Sequence, residues 1–392
     1  MGVGRRKRGE NAHDVHGGLG VGPIGGEGLV SRAREDLLAK SDRTLYRNLD
    51  GVRAIAALLV LAAHSLWGTA AFGATGVWLF FVLSGFLLFP TLPRRHEGHY
   101  FLRLAGFFIK RITRLIPLYY VALLVYSAKW HKEVSWLVDH ILFLDAKTFF
   151  WTVKMEAIFY LLLPLIGLLA YLVPGRIAKF VALVLATVAY HFLVETPALI
   201  TVTAAVTTMP LWLSPFMMGI CASIIVPYIS RAMGYVLLLA GSMGLVLLDL
   251  DLPSFPYLRE VALGPSAGSP ESYVGLTSFV ATLFVTGAAA VPPNVIFCNR
   301  IIRTAGVCGY SFYLWQVLVM QTLFGAAYYR DQSLYPPLVF CVTAVVTYFV
   351  SILSFAVFEL PPMTYGHALA RRLVDRGIHL ATPKAEAVGL RD

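Results

Sequence analysis

Hydrophobic and polar positions divide the chain into ten apolar segments of roughly spanning length: 49–67, 73–92, 115–130, 151–173, 177–194, 204–227, 233–250, 274–292, 305–327 and 336–360. Runs of about 20 apolar residues cross a bilayer as helices, because a helix satisfies its own backbone polar groups there. The third segment is short, and the sixth carries Pro210 and Pro215, which predict a kink or break. The pattern predicts an all-α polytopic membrane protein with about ten transmembrane helices. Residues 1–44, Gly-rich and polar with the run Arg5-Arg6-Lys7-Arg8, read as a disordered basic tail. No apolar stretch follows that run closely enough to make a secretory signal. Residues 45–362 form the transmembrane domain, and 363–392 a second cytoplasmic tail.

Composition agrees, with 58% apolar and 14% charged residues and a mean hydropathy of +0.70, values outside the range of soluble globular domains. A net charge of +10 could suggest nucleic acid, but the distribution of the charge argues against it. Of the 32 Lys and Arg, 25 fall on one side of the ten-segment arrangement, five on the other, and Arg53 and Lys154 lie within segments. That asymmetry sets membrane orientation and predicts both termini in the cytoplasm. The four cysteines form no CxxC and read as small buried residues.

The first segment, NLDGVRAIAALLVLAAHSLW, holds Arg53 and His64 eleven positions apart. At about 100° per residue this comes within about 20° of three full turns, with roughly 16 Å of rise. Both side chains therefore face one way. Charged and titratable groups in a span usually face a bundle interior or an aqueous cavity. Arg53 could instead snorkel and His64 could be a packing residue; the alignment of the pair favours a shared polar cavity. Counted from Trp151, Glu156 should lie at about the depth of His64.

Other motifs leave alternatives open. Arg111 and Arg114, three apart in FIKRITRLIPLYY, share a helix face suited to phosphate recognition; spacing alone favours an orientation signal or a lipid headgroup contact. Glu156 in WTVKMEAIFYLLLP is either functional or a structural partner for Lys154 or an arginine. Ser84 in GVWLFFVLSGFLL reads as a packing residue. No GxSxG, HExxH or other metal-ligand spacing occurs.

In order, LDGVRAIAALLVLAAHS, GVWLFFVLSGFLL, KRITRLIPLYY, WTVKMEAIFYLLLP, GYSFYLW and the terminal FELP resemble the acyltransferase-3 family of integral-membrane O-acyltransferases, over about residues 45–362. The resemblance implies acyl transfer, often of acetyl, from acetyl-CoA or another acyl-CoA to a hydroxyl. Acceptors in the family include surface glycans, peptidoglycan, glycolipids and macrolides. It marks Arg53 and His64 as the family's functional pair, Arg111 and Arg114 as its basic motif, and Glu156 as the glutamate of its WTxxxExxFY motif. Two positions depart from the pattern: Gln316 stands where members often carry histidine, and Lys154 is unusual beside the glutamate.

The resulting expectation is a multi-pass inner-membrane enzyme whose His64 acts as general base, with Glu156 orienting it or binding the acceptor hydroxyl. Arg53, Arg111 and Arg114 would hold the donor's phosphates, with no metal and no nucleic acid involved. The alternative is a transporter or flippase that moves a glycolipid or carboxylate through the same cavity without chemistry.

Overall fold

The computed structural model describes residues 46–66, 70–93, 99–145, 148–194, 212–249, 274–325 and 335–381. They form α1 (Asn48–Ser65), α2 (Ala70–Leu88), α3 (Tyr100–Lys129), α4 (Val134–Ile141), α5 (Trp151–Leu172), α6 (Arg176–Val194), α7 (Leu213–Ile225), α8 (Arg231–Asp249) and α9 (Val274–Ala290). There follow α10 (Val295–Cys298), α11 (Arg300–Val307), α12 (Gly309–Phe324), α13 (Pro336–Ser354), a π-helical turn (Phe355–Glu359) and α14 (Leu360–Ala381). No strand occurs among the described residues. The expected tail 1–44, the start of the sixth segment and the connection 251–273 lie outside them.

Five described stretches are long and apolar enough to cross a membrane: Gly73–Thr91, Thr148–Leu172, Arg176–Leu193, Arg231–Leu248 and Pro336–Arg376. The pair α11 and α12 makes a sixth if counted together across an 84° bend. Leu213–Tyr228 and Val274–Ala290 are shorter apolar helices. The chain is thus a membrane protein, with five or six helices meeting the spanning criteria among its described residues.

Three segments differ in outline from the expected ones. The short third segment is the second half of α3, a 30-residue helix that also carries Arg103, Lys110, Arg111 and Arg114. Pro117 lies inside this helix without ending it, since proline removes one backbone donor but does not forbid the turns on either side. The ninth segment is broken, with Asn299 capping α11 through the Ile302 amide and α12 starting afresh at Gly309. The last segment runs through the π turn into α14, so 363–381 is helical and packs along α3, with Ala370 beside Gly106 and Gly366 beside Thr113.

Backbone contact between helices organises the centre. A Cβ on Gly85 would collide with the carbonyl of Phe216, and one on Gly219 with that of Val82, so α2 and α7 touch main chain to main chain. Small residues permit such approach where no hydrophobic drive separates helix from lipid. Around this contact Phe81 and Phe159 stack on the two faces of Phe216, at 4.3 and 4.1 Å between ring centroids. Gly76 lies against Ala56 and Val60, and Gly73 against Ala63, which fixes α1 and α2 as an antiparallel hairpin. The start of α1 is tied down by Asn48, whose amide donates to the carbonyls of Ala288 (2.9 Å), Val291 (3.1 Å) and Pro292 (3.1 Å). These are carbonyls at and beyond the end of α9, which the helix itself leaves unsatisfied.

Overpacking at the main-chain contact should be costly. Gly219→Ala is expected to lower thermal stability in detergent by the equivalent of about 1–3 kcal/mol. Gly106→Ala, where the new Cβ would meet Ala370 at an ordinary 3.5 Å, should be neutral or mildly stabilising. Equal melting temperatures for the two variants would contradict this packing.

Candidate functional site

One cavity of about 100 Å³ gathers most of the charged groups that the sequence singles out. Its wall includes Arg53 from α1, Ser84 from α2, Arg111 and Arg114 from α3, and Glu156 and Tyr160 from α5. Gly306 of α11 and Gly309, Tyr310 and Tyr313 of α12 complete it. The bend between α11 and α12 makes this possible. Gly306 lies against the backbone of Asp50, a Cβ at Gly309 would come within 3.8 Å of the Arg53 Cβ, and the two tyrosines then turn inward.

Each charge has a distinct environment. Asp50 accepts from Arg53 Nη1 at 2.9 Å, one turn back on α1. Glu156 Oε1 accepts from Tyr160 O–H at 2.6 Å and from Ser84 O–H at 3.2 Å. The guanidinium of Arg111 sits over the Phe107 ring, 5.6 Å from its centroid, and its buried Nε has no hydrogen-bond partner among the described residues. Arg114 Nη1 lies 4.0 Å from Met363 Sδ. Neither Arg111 nor Arg114 makes an ion pair among the described residues. The cavity thus gathers three guanidiniums, with Asp50 bonded to Arg53 and with Glu156 and Glu359 within electrostatic reach of Arg111 and Arg114; the donor forks left without a direct ion pair suit an anion.

His64 does not line this cavity. The contacts of Gly73 with Ala63 and of Gly76 with Ala56 and Val60 set the register of the α1–α2 hairpin. In that register Ser84, and the Glu156 bonded to it, sit level with the Arg53 end of α1. Glu156 thus lies with the arginines and not at the depth of His64, which corrects the expectation of a shared level. The reason is local. The Thr148–Phe150 turn is anchored on the bundle, with Phe150 fully buried and the Phe149 carbonyl accepting from Tyr313 O–H at 2.8 Å, which holds the start of α5 against α12. Val77, Phe80 and Tyr313 also line the cavity, the last accepting from Thr152 O–H at 2.9 Å, and in the hairpin register Val77 lies nearer the His64 end than Ser84 does. Among the described residues His64 is half-buried and makes no hydrogen bond.

A second carboxylate escaped the sequence reading. Glu359 is fully buried in the π turn; it accepts from Ser311 O–H, while its Oε2 has no partner among the described residues. Ser354 extends the cluster, lying 3.2 Å from Ser311 Oγ and accepting from Trp315 Nε1 at 2.7 Å. The available signal was a carboxylate in the apolar run FAVFELPP, ahead of two prolines. Gln316, at the position where histidine was expected, is also buried, with its Oε1 unpartnered among the described residues. No group of three or more potential metal ligands occurs among the described residues.

The comparisons with known proteins point one way. A stretch of the peptidoglycan O-acetyltransferase OatA of Listeria monocytogenes is 40% identical over 95 residues, 24% of this chain and 15% of that protein. A putative O-acetyltransferase of Staphylococcus aureus (strain COL) is 39% identical over 79 residues, 20% of this chain and 13% of its own length. The putative peptidoglycan O-acetyltransferase YrhL of Bacillus subtilis is 38% identical over 90 residues, 23% of this chain and 13% of that protein. The match thus covers only about a seventh of the length of these relatives. No solved structure matches. The model of the acyltransferase-3 family, described as an acyltransferase domain, matches residues 46–356, most of the chain, and the chain belongs to that family.

Proposed function

We propose that the chain is a multi-pass O-acetyltransferase of the inner (plasma) membrane, moving an acetyl or related acyl group from acyl-coenzyme A to an acceptor hydroxyl. The observation that carries this reading is the cavity of three arginines and Glu156, two of whose guanidiniums make no direct ion pair among the described residues. Guanidinium forks match phosphate oxygens in charge and geometry. The basic-residue asymmetry supports ten spans with both termini cytoplasmic, which puts the Arg53 end of α1 on the cytoplasmic side. The relatives' names support a cell-wall or other surface-glycan hydroxyl as acceptor, ahead of a glycolipid or a macrolide.

In this reading Arg53, Arg111 and Arg114 hold the donor's phosphates, and the acyl arm runs along α1 over the roughly 16 Å of rise to His64. His64 takes the hydroxyl proton as that oxygen attacks the thioester carbonyl; the C–S bond breaks and the thiolate leaves with coenzyme A. Val77, Phe80 and Tyr313, which line the cavity, would flank the arm. Glu156, held on the arginine side by Tyr160 and Ser84, acts on the donor or on an incoming hydroxyl rather than by orienting His64. The chemistry needs no metal.

A transporter or flippase is the second reading, and the 84° break beside the cavity favours it, since broken helices line many transport sites. It requires translocation without coenzyme A.

Labelled acetyl-coenzyme A offered to the purified protein should be hydrolysed, or its acetyl group transferred to glycan fragments. His64→Ala should lower that turnover by about 10²-fold or more while the protein stays monodisperse; wild-type turnover in the variant would remove His64 from the mechanism. Arg114→Ala should weaken donor binding by about tenfold or more, read by isothermal titration. Unchanged donor affinity with altered membrane orientation would return Arg114 to the role of an orientation signal.

A further inference from the structure

A second cavity, of about 450 Å³, lies at the same end of the bundle as Arg53, where α2, α5 and α7 end and α3 and α6 begin. We infer that it is a binding site for an anionic phospholipid, with Arg176 and Lys179 taking the headgroup and an apolar trough taking the upper acyl chain. The inference does not depend on acyl transfer.

Sequence makes the hollow. Pro90 and Pro227 lie in the short turns that follow α2 and α7, Pro93 follows the first of these, and Gly167 presents no side chain where α5 passes Leu92. The polar groups are gathered on one side. Arg176 and Lys179, one turn apart on α6, both reach the cavity, and neither meets a carboxylate among the described residues. Arg176 Nη1 lies 3.4 Å from Tyr228 Oη, and Lys179 Nζ lies 6.0 Å from the centre of the Tyr171 ring. Neutral aromatic neighbours orient these cations without cancelling their charge.

Opposite them the wall is apolar, with Phe89, Leu92 and Leu168 prominent. Its margin runs into lipid-facing surface, since Leu172 is 66% and Ile177 78% exposed. One charged end and one apolar side fit an amphiphile, and basic pockets between helices on the cytoplasmic side select acidic headgroups. A nucleotide would leave the apolar margin uncovered, whereas a phospholipid covers both surfaces.

The test uses the full chain, purified in neutral detergent, delipidated and offered phosphatidylglycerol or phosphatidylcholine in mixed micelles, with retention read by native mass spectrometry. Wild type should retain phosphatidylglycerol at least about tenfold better than phosphatidylcholine. The double variant Arg176→Ala/Lys179→Ala should reduce that preference to near unity without changing the elution volume. The charge-preserving Arg176→Lys/Lys179→Arg should keep it, as should Arg371→Ala/Arg372→Ala on exposed cations of α14. Equal retention of the two lipids by wild type would overturn the inference, as would an undiminished preference in the double alanine variant. Displacement of phosphatidylglycerol by coenzyme A in one-to-one competition would also overturn it and make the site a nucleotide pocket.

Discussion

The constraint behind this structure is the cost of placing ionised side chains among apolar helices. Unpaired charges in such surroundings are expensive enough that they persist only where a partner, a cavity or a ligand meets them. Arg53 has Asp50 one turn away, and Glu156 has two hydroxyl donors. Arg111 and Arg114 make no direct ion pair among the described residues; Glu156 acts on the first and Glu359 on the second from a distance, and their nearest described contacts are an aromatic ring and a thioether. The bundle thus keeps a pocket in which two guanidiniums have no direct ion pair, and those free donor forks support its reading as a phosphate site.

Close helix packing makes the pocket possible. The contacts of Gly85 and Gly219 bring α2 and α7 together at their backbones, while Gly306 sets α11 against Asp50. With these helices drawn in, the break at Cys308–Gly309 turns Tyr310 and Tyr313 into the cavity. Tyr310 then donates to the Leu115 carbonyl at 2.9 Å, two residues before Pro117, so a side chain reinforces α3 near its proline. Packing, backbone satisfaction and site geometry are therefore one arrangement, and a substitution at a packing glycine would reach the charges indirectly.

The division between the cavity and His64 bears on how a transfer reaction would run here. The arginines and Glu156 share one chamber, and His64 is not among the residues that line it. The buried cluster of Ser311 and Trp315 on α12, Ser354 at the end of α13 and Glu359 in the π turn gives that turn a polar interior.

By itself the sequence determined what depends on composition and local periodicity. Long apolar runs dictate helices in a membrane protein, because no other open structure satisfies the backbone in lipid. The placing of Arg53, Arg111, Arg114 and Glu156 in or beside apolar runs marked them, since such charges are rarely idle. Depth and neighbourhood were decided only by tertiary structure. Counting from Trp151 puts Glu156 level with His64, but burial of Phe150 and the bond of the Phe149 carbonyl to Tyr313 hold the start of α5 against the bundle, and Glu156 lies with the arginines. The bend at Gly309 and the run of α3 through Pro117 were likewise hidden, because hydropathy records how apolar a stretch is and not where its axis turns. Glu359 went unweighed for a related reason: burial against Ser311 sets it apart, and burial belongs to the assembled helices.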